Sequence, residues 1–402
     1  MKKIPKNVLV LGLVSFFNDV ASEMIYPIVP IFLTTVLGAP VFIVGMIEGI
    51  AEATASLGKF IFGYLSDKIH KRKIFVVVGY AASSISKLLI GLASVWPFVL
   101  FARFIDRFGK GLRTGARDSI LLQNTTSKDK GFIFGFHRAF DSAGAFLGPI
   151  LALILLTVFK ENIRTIFFIA FIPAVIGVLL LTILIKEENE KAKIPVLNQS
   201  PGAPLSGVRR VKNTVSSFRM MDDRLIIFFI ISIIFALGNS SDAFLILRAK
   251  NLGLTTTMTI FAYVLYNFFQ SVFSMPAGSL ADKIGARTVY AVGLLVFALV
   301  YFSFGIINHP LLIWILFPIY GIYIAATDGV SKAYISEFIT EKESGTYFGL
   351  YQTGTAIASI IASFVAGILW TKVQPSAAFF YGAAMAMLAF LVLSYGKIFR
   401  KV

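Results

Sequence analysis

Windows of roughly 20 mainly apolar residues, the length that crosses the hydrocarbon core of a bilayer, recur along nearly the whole of this 402-residue chain. They fall at about 7–33, 42–66, 74–93, 98–122, 132–158, 165–186, 224–250, 257–281, 288–307, 311–336, 346–371 and 376–396. The pattern predicts an all-α membrane protein of about twelve transmembrane helices. Lipid must be the solvent, because 57% hydrophobic residues, 40 Phe and a mean hydropathy of +0.82 exceed what a soluble core of this size can hide. The first window is too long for a secretory leader and keeps polar residues mid-span, so it reads as a retained helix. Cysteine is absent, which leaves no disulfide framework to read.

Cations set the expected orientation, since short cytoplasmic loops retain Lys and Arg. With the N terminus inside, the inner segments hold Lys2, Lys3, Lys6, the DKIHKRK loop, Lys128, Lys130, the central linker, Lys283, Arg287, Lys342, Lys397, Arg400 and Lys401. The outer loops hold only Lys160, Arg164, Lys250 and Lys372. Both termini are therefore expected in the cytoplasm, in a cell or inner membrane, and the net charge of +16 is mostly topological. Cations split among short loops beside membrane spans argue against nucleic acid as a partner.

The chain is also a repeat. GYLSDKI at 63–69 returns as GSLADKI at 278–284, and Leu37-Gly38 returns as Leu252-Gly253, both 215 residues later. GFIFGF at 131–136 matches GTYFGL at 345–350 with nearly the same offset. This predicts a six-helix half over 1–186 and another over 224–402, in parallel topology. They are joined by a cytoplasmic linker over 187–223, whose EENEK, SPGAP and VRRVK segments read as solvated chain.

Those duplicated segments resemble the major facilitator superfamily, and the likeness covers essentially the full chain. The family's loop signature, Gly-x-x-x-Asp-(Arg/Lys)-x-Gly-(Arg/Lys)-(Arg/Lys), is similar to Gly63, Asp67, Lys68, Lys71 and Arg72, with His70 in place of the second Gly. The second copy keeps Gly278, Asp282, Lys283, Gly285 and Arg287. The resemblance implies the family's fold, two pseudo-symmetric six-helix halves, and a loop that latches them in the outward-facing state. Asp67 would cap a helix N terminus of the other half, worth a few tenths to ~1 kcal/mol, and Arg72 would pair with an acid at the cytoplasmic end of the fourth helix, best matched by Asp118. A positive-inside loop with a turn is the alternative. GAFLGP in the fifth helix (Gly144, Gly148, Pro149) is similar to the Gly-x-x-x-Gly-Pro signature of antiporters, although Leu151 and Ala152 stand where a Gly pair usually follows. Pro27 and Pro30 resemble the Pro-x-x-Pro ending common in drug/proton antiporters. Close packing through small residues explains such helix motifs equally well.

The fourth window contains RFIDRFGKGLRTGARD, from Arg103 to Asp118, with five cations and two carboxylates. At helical spacing Arg103, Asp106, Arg107, Lys110, Arg113, Arg117 and Asp118 fall within an arc of roughly 140°. A lipid-facing Arg near the midplane costs at least ~2.5 kcal/mol, so this arc should face a cavity or another helix. Partners are available in the same half: Asp19 and Glu23 on the first helix, Glu48, Glu52 and Lys59 on the second, Arg138 and Asp141 on the fifth. By resemblance to the family's Arg-x-x-Gln-Gly-x-Gly pattern, Arg103 matches the Arg and Gly109 the last Gly, while Asp106 and Arg107 replace Gln and Gly. That match implies a place for Arg103 near a proton site. Ion pairing that merely holds helices in register is the alternative.

The second half carries few intramembrane charges, Asp242, Arg248, Asp328 and Lys332, beside Asn239, Asn267, Gln270, Gln352 and many aromatics. This asymmetry suits a substrate wall in that half and proton coupling in the first, through Asp19, Glu23, Glu48, Glu52, Arg103, Arg107 and Asp141. The expected function is a proton-coupled secondary transporter that exports a small organic molecule by antiport; symport or facilitated uptake of an anionic metabolite is the second reading. An enzyme has little support, because His70, His137 and His309 are scattered and neither a metal cluster nor a phosphate loop is present. No cofactor is expected; the partners are substrate, protons and membrane lipid, and the chain is expected to act as a monomer.

Overall fold

A computed structural model describes residues 4–69, 71–123, 130–185, 222–338 and 344–395. The expected linker over 187–223 lies outside the described residues except at its last two positions. The described chain is helical throughout: α1 Lys6–Ile25, α2 Val41–Ile69, α3 Arg72–Leu92, α4 Trp96–Gln123, α5 Lys130–Val158 and α6 Ile163–Leu184, then α7 Asp223–Gly238, α8 Ala243–Asn251, α9 Thr256–Ile284, α10 Ala286–Ile306, α11 Ile313–Ser336, α12 Ser344–Lys372 and α13 Pro375–Tyr395. Eleven stretches of described residues are long and apolar enough to cross a membrane, with α7 and α8 together forming one of them. The remaining long helix is α4, which occupies the expected fourth window but is excluded from that set by its charges.

Polarity is inverted relative to a soluble protein. Large apolar side chains such as Leu57, Ile154, Ile172, Ile183 and Ile315 face outward, whereas Lys87, Arg103, Asp106 and Arg113 are buried. In hydrocarbon this is the lower-energy arrangement, because charges find partners only inside the bundle.

The same pairings recur in the two sets of helices. α1 packs on α5 and α6, α2 on α4, and α3 on α4 and α6; correspondingly α7 packs on α12 and α13, α9 on α11, and α10 on α11 and α13. Glycines allow the closest approaches. A Cβ on Gly109 of α4 would meet the Gly79 carbonyl of α3 at 2.5 Å, and one on Gly111 would meet Gly58 Cα of α2 at 2.7 Å. These contacts wedge α4 between α2 and α3. Gly285, the glycine kept in the second signature copy, joins α9 to α10 at φ +90°, a conformation that an L side chain would strain.

Two crossings are broken where the windows predict continuous helices. The chain leaves α1 at Tyr26, makes a turn at Val29–Ile31 and a wider π-helical turn at Phe32–Val36. Pro27 and Pro30 supply no N–H there, and Thr34 and Thr35 hydroxyls donate to the Pro30 and Ile31 carbonyls at 2.9 and 2.7 Å. The window at 224–250 splits between α7 and α8, because Asn239, Ser240, Ser241 and Asp242 form a run of poor helix formers that bond locally. Ser241 N donates to Ser363 Oγ of α12 at 3.1 Å, and Ser241 Oγ accepts from Ala243 N at 3.3 Å. Pro27 and Asp242 are 215 residues apart, the offset of the repeat. The two interruptions are therefore equivalent, and each leaves backbone and polar groups outside regular helix.

The halves meet along α2 with α12 and along α5 with α9. At the start of α2 and the end of α12 the contact is tight: a Cβ on Gly45 would fall on the Ser363 carbonyl oxygen, and one on Gly367 would lie 3.0 Å from Phe42 Cα. Phe42 and Phe364 rings meet edge to face at 5.2 Å, and Phe42 N donates to Thr371 Oγ1 at 3.1 Å. At the other contact between the halves, Thr257 Oγ1 at the start of α9 donates to Glu161 Oε1 just past the end of α5 at 3.1 Å. This seal lies at the distal face, opposite the terminal face at which α1 begins and α13 ends.

Candidate functional site

Beyond the seal the halves diverge around a cavity of about 690 Å³. α1 contributes Glu23 and the turn after it Tyr26, α2 Glu48, Glu52 and Lys59, and α4 Arg107 and Lys110. From the other half come Asn239, Ser240 and Asp242 at the α7–α8 break, Tyr320, Tyr323, Asp328 and Lys332 of α11, and Tyr351, Gln352 and Ser359 of α12. Lys332 is near the terminal-face end of α11 and Lys59 lies in the terminal-face half of α2, whereas Glu48 and Ser363 sit next to the seal. The cavity thus runs from the seal toward the terminal face.

The charged arc of α4 turns inward, as its spacing requires. Arg103 grips Glu48 through one nitrogen, with Nη2 at 2.7 and 2.9 Å from the two carboxylate oxygens. Asp106 sits among three cations, with Arg107 Nε at 3.7, Arg103 Nη1 at 3.8 and Lys87 Nζ at 4.0 Å. Two helical turns on, Arg113 donates to Ser83 Oγ at 2.7 Å and covers the Tyr80 ring at 4.3 Å. Arg117 donates to Ser15 Oγ at 3.2 Å and pairs with its neighbour Asp118 at 3.0 Å. α4 is therefore bonded to α1, α2 and α3 along most of its length.

Two carboxylates beside the seal differ from Glu48. Glu23 accepts a hydrogen bond from Tyr263 Oη of α9 at 3.2 Å, across the boundary between the halves. Asp242 accepts from Tyr320 Oη at 2.7 Å and from Tyr266 Oη at 3.0 Å. Among the described residues no Lys or Arg nitrogen lies within 4.0 Å of either. Tyr263, Tyr266, Tyr320 and Tyr323 were not singled out by sequence reasoning. Their signal was a Tyr-x-x-Tyr spacing repeated in α9 and α11, which puts each pair on one helix face.

The other expected site residues are distributed as follows. The Gly144 and Gly148 stripe of α5, just before Pro149, receives α1: a Cβ on Gly144 would meet the Phe16 carbonyl at 2.6 Å and Asp19 Cβ at 3.0 Å, and one on Gly148 would meet Glu23 Cβ at 2.9 Å. Asp19 takes an Asn18 amide at 3.5 Å, and Asp141 lies 3.5 Å from His137 Nδ1 on its own helix. Asn267 donates to the Tyr263 carbonyl at 3.0 Å and does not line the main cavity, while Gln270, Gly278 and Asp282 line a second one of about 550 Å³ between α5, α9 and α11. Asp328 and Lys332 pair with each other at 3.5 Å. Arg248 serves the distal end of the bundle, bonding the Phe304 and Ile307 carbonyls at 3.1 and 2.7 Å. Arg287 reaches the Leu393 carbonyl at 2.6 Å. The side chains of Gly63 and Asp67 lie outside the described residues.

One test of the α1–α5 contact is direct. Gly144→Val places a branched side chain against a backbone carbonyl that cannot rotate away, an overpacking that typically costs ~1–3 kcal/mol. Thermal unfolding of the purified variant should begin several degrees earlier; an unchanged melting temperature would mean that the two helices are not held this closely.

Comparison with known proteins agrees with this architecture. A solved nucleoside transporter, NupG, superposes with a TM-score of 0.76 at 14% identity, over 97% of this chain and 100% of that one. A D-xylose–proton symporter gives 0.74 at 16% identity over 97% of both. In sequence, an uncharacterized MFS-type transporter of Methanocaldococcus jannaschii is 37% identical over 98% of this chain and 96% of its own length. The multidrug resistance protein MdtG of Salmonella schwarzengrund is 30% identical over 37% of each chain. The profile of the Major Facilitator Superfamily matches residues 11–247 and 227–400. With paired helix sets, equivalent broken crossings and a cavity between them, the chain belongs to that superfamily of membrane transporters.

Proposed function

We propose that the chain works by alternating access as a proton-coupled secondary transporter, exporting a small organic molecule in exchange for protons. The observation that carries the reading is the Glu23–Tyr263 hydrogen bond. Among the described residues no Lys or Arg nitrogen lies within 4.0 Å of Glu23, and the hydroxyl that donates to it belongs to the other half. A hydrogen bond to an ionised acceptor is roughly twice as strong as a neutral one. The ionised form of Glu23 therefore ties the halves together at the seal, and protonation loosens that tie. A proton can bias the equilibrium between two states only through such a differential interaction.

The surrounding structure is consistent with that role. Gly144 and Gly148 bring α5 onto α1 at Asp19 and Glu23, so a rotation of α5 moves the carboxylates with it. With the distal seal closed and the terminal face open, Asp282 is exposed, as expected of a latch that engages only when the terminal face closes. The cation distribution supports cytoplasmic termini, which makes the open side cytoplasmic. A second reading, uptake of an anionic metabolite, is favoured by Lys59, Arg107 and Lys110 on the cavity wall.

Reconstitution separates these readings. In proteoliposomes screened against a panel of metabolites and drugs, Glu23→Gln should abolish accumulation driven by a pH gradient and spare exchange of substrate for substrate. A permanently neutral side chain removes the proton but leaves the cavity. If the variant still concentrates substrate in response to the gradient, Glu23 does not couple the two fluxes.

A further inference from the structure

The cavity carries more cations than free carboxylates on its first-half wall and a carboxylate without an ion pair on the facing wall. On the first-half wall stand Lys59, Arg107 and Lys110. Among the described residues the carboxylate paired with Arg107 is that of Asp106 at 3.7 Å, and the buried Nε makes no hydrogen bond. The Lys59 and Lys110 ammonium groups have no ion pair within 4.0 Å among the described residues. Glu48 on this wall is taken by Arg103, which leaves Glu23 and Glu52 against three cations. On the facing wall the Asp328 and Lys332 charges cancel, and Asp242 stands alone within its tyrosines.

We propose that the cavity takes a dipolar substrate, a small molecule carrying both an ammonium and a carboxylate, with the ammonium at Asp242 and the carboxylate at Arg107 and Lys110. The proposal rests on the transport reading above and specifies its cargo. A singly charged organic cation would satisfy Asp242 but leave the excess cations of the first-half wall facing its apolar body, and an organic anion would leave Asp242 unanswered. Burying a charge without a partner is costly, so only a molecule with both groups meets both walls.

The surroundings of Asp242 suit an ammonium in a second way. Tyr26, Tyr263, Tyr266, Tyr320 and Tyr323 form a continuous row, with successive ring centroids 5.8, 5.2, 5.4 and 5.1 Å apart. Tyr26, Tyr320 and Tyr323 line the cavity. Aromatic faces attract ammonium groups through the ring quadrupole, and two hydroxyls already fix the carboxylate. A volume of about 690 Å³ accepts a metabolite-sized molecule with room for water.

Thermal stabilisation of the purified full-length protein tests the proposal without any gradient. The probes are the common L-amino acids, each beside its amide, which keeps only the ammonium, and its N-acetyl form, which keeps only the carboxylate. At least one amino acid should raise the melting temperature, and neither of its analogues should do so at about tenfold higher concentration. Asp242→Asn should weaken that amino acid about tenfold or more while leaving the N-acetyl form unaffected, and Arg107→Gln should weaken it similarly while leaving the amide unaffected. The wild-type comparison decides even if a variant folds poorly. Stabilisation by an analogue as strong as by its parent, or by no amino acid at all, overturns the proposal. Amino-acid binding combined with transport indifferent to a pH gradient would instead reject proton coupling and keep the cargo.

Discussion

Replacing Gly45 by leucine should stop the transport cycle and turn the cavity to the opposite face of the membrane. The Cβ of any larger residue at 45 falls on the backbone carbonyl of Ser363, and Phe244 Cζ lies 3.1 Å away on another side. Backbone cannot move aside as a flexible side chain does, so relief comes by separating α2 from α12, which opens the distal seal. The chain contains no cysteine, and a single Ser359→Cys substitution places a reporter on the cavity wall close to the seal. In the parent, a membrane-impermeant maleimide should label it from the terminal face. With Gly45→Leu added, labelling should switch to the distal face and transport should fall to background. Persistence of terminal-face labelling in the double variant would show that the α2–α12 contact does not hold the seal.

Arg103→Ala should be the most destabilising single change in α4. Arg103 and Glu48 are buried and bonded at 2.7 and 2.9 Å, and removing one partner of such a pair typically costs ~3–5 kcal/mol because the other charge is stranded. Adding Glu48→Gln should recover much of that loss, since no charge then remains unanswered. The double variant also separates bracing from proton handling. If it regains both stability and the parental pH profile of transport, the pair is structural; if stability returns but the pH profile does not, the pair belongs to the coupling machinery. A double variant as unstable as the single one would mean that Arg103 acts through Asp106, 3.8 Å away.

Hydropathy located every crossing because burial in lipid imposes a length and a polarity on each segment separately. Even α4 was legible, since seven charges on one arc cannot face hydrocarbon. The sequence left the partner of Arg103 open among α1, α2 and α5, because helical phase says which way a side chain points but not which helix it meets. The α7–α8 break was hidden inside a window whose average hydropathy stays high, although the Gly-Asn-Ser-Ser-Asp run at its centre marks it once the repeat offset pairs it with Pro27. Tyrosines were passed over for a related reason: hydropathy treats them as nearly neutral, whereas their hydroxyls here donate to two cavity carboxylates. The seal was beyond reach of any local pattern, because Phe42 and Thr371 are 329 residues apart.

The charges of α4 also bear on how the chain is made. At ~2.5–3.5 kcal/mol for each charge placed at mid-helix, a segment with seven of them cannot leave the insertion machinery for lipid by itself. Its partners Ser15, Ser83, Lys87 and Glu48 all precede it, so they have been synthesised by the time Arg103 emerges. The glycine faces of α2 and α3 that receive Gly111 and Gly109 are in place as well. The fourth crossing thus enters the membrane as the filling of an existing groove rather than as an independent hydrophobic unit, and the order of synthesis supplies the solvent its sequence lacks.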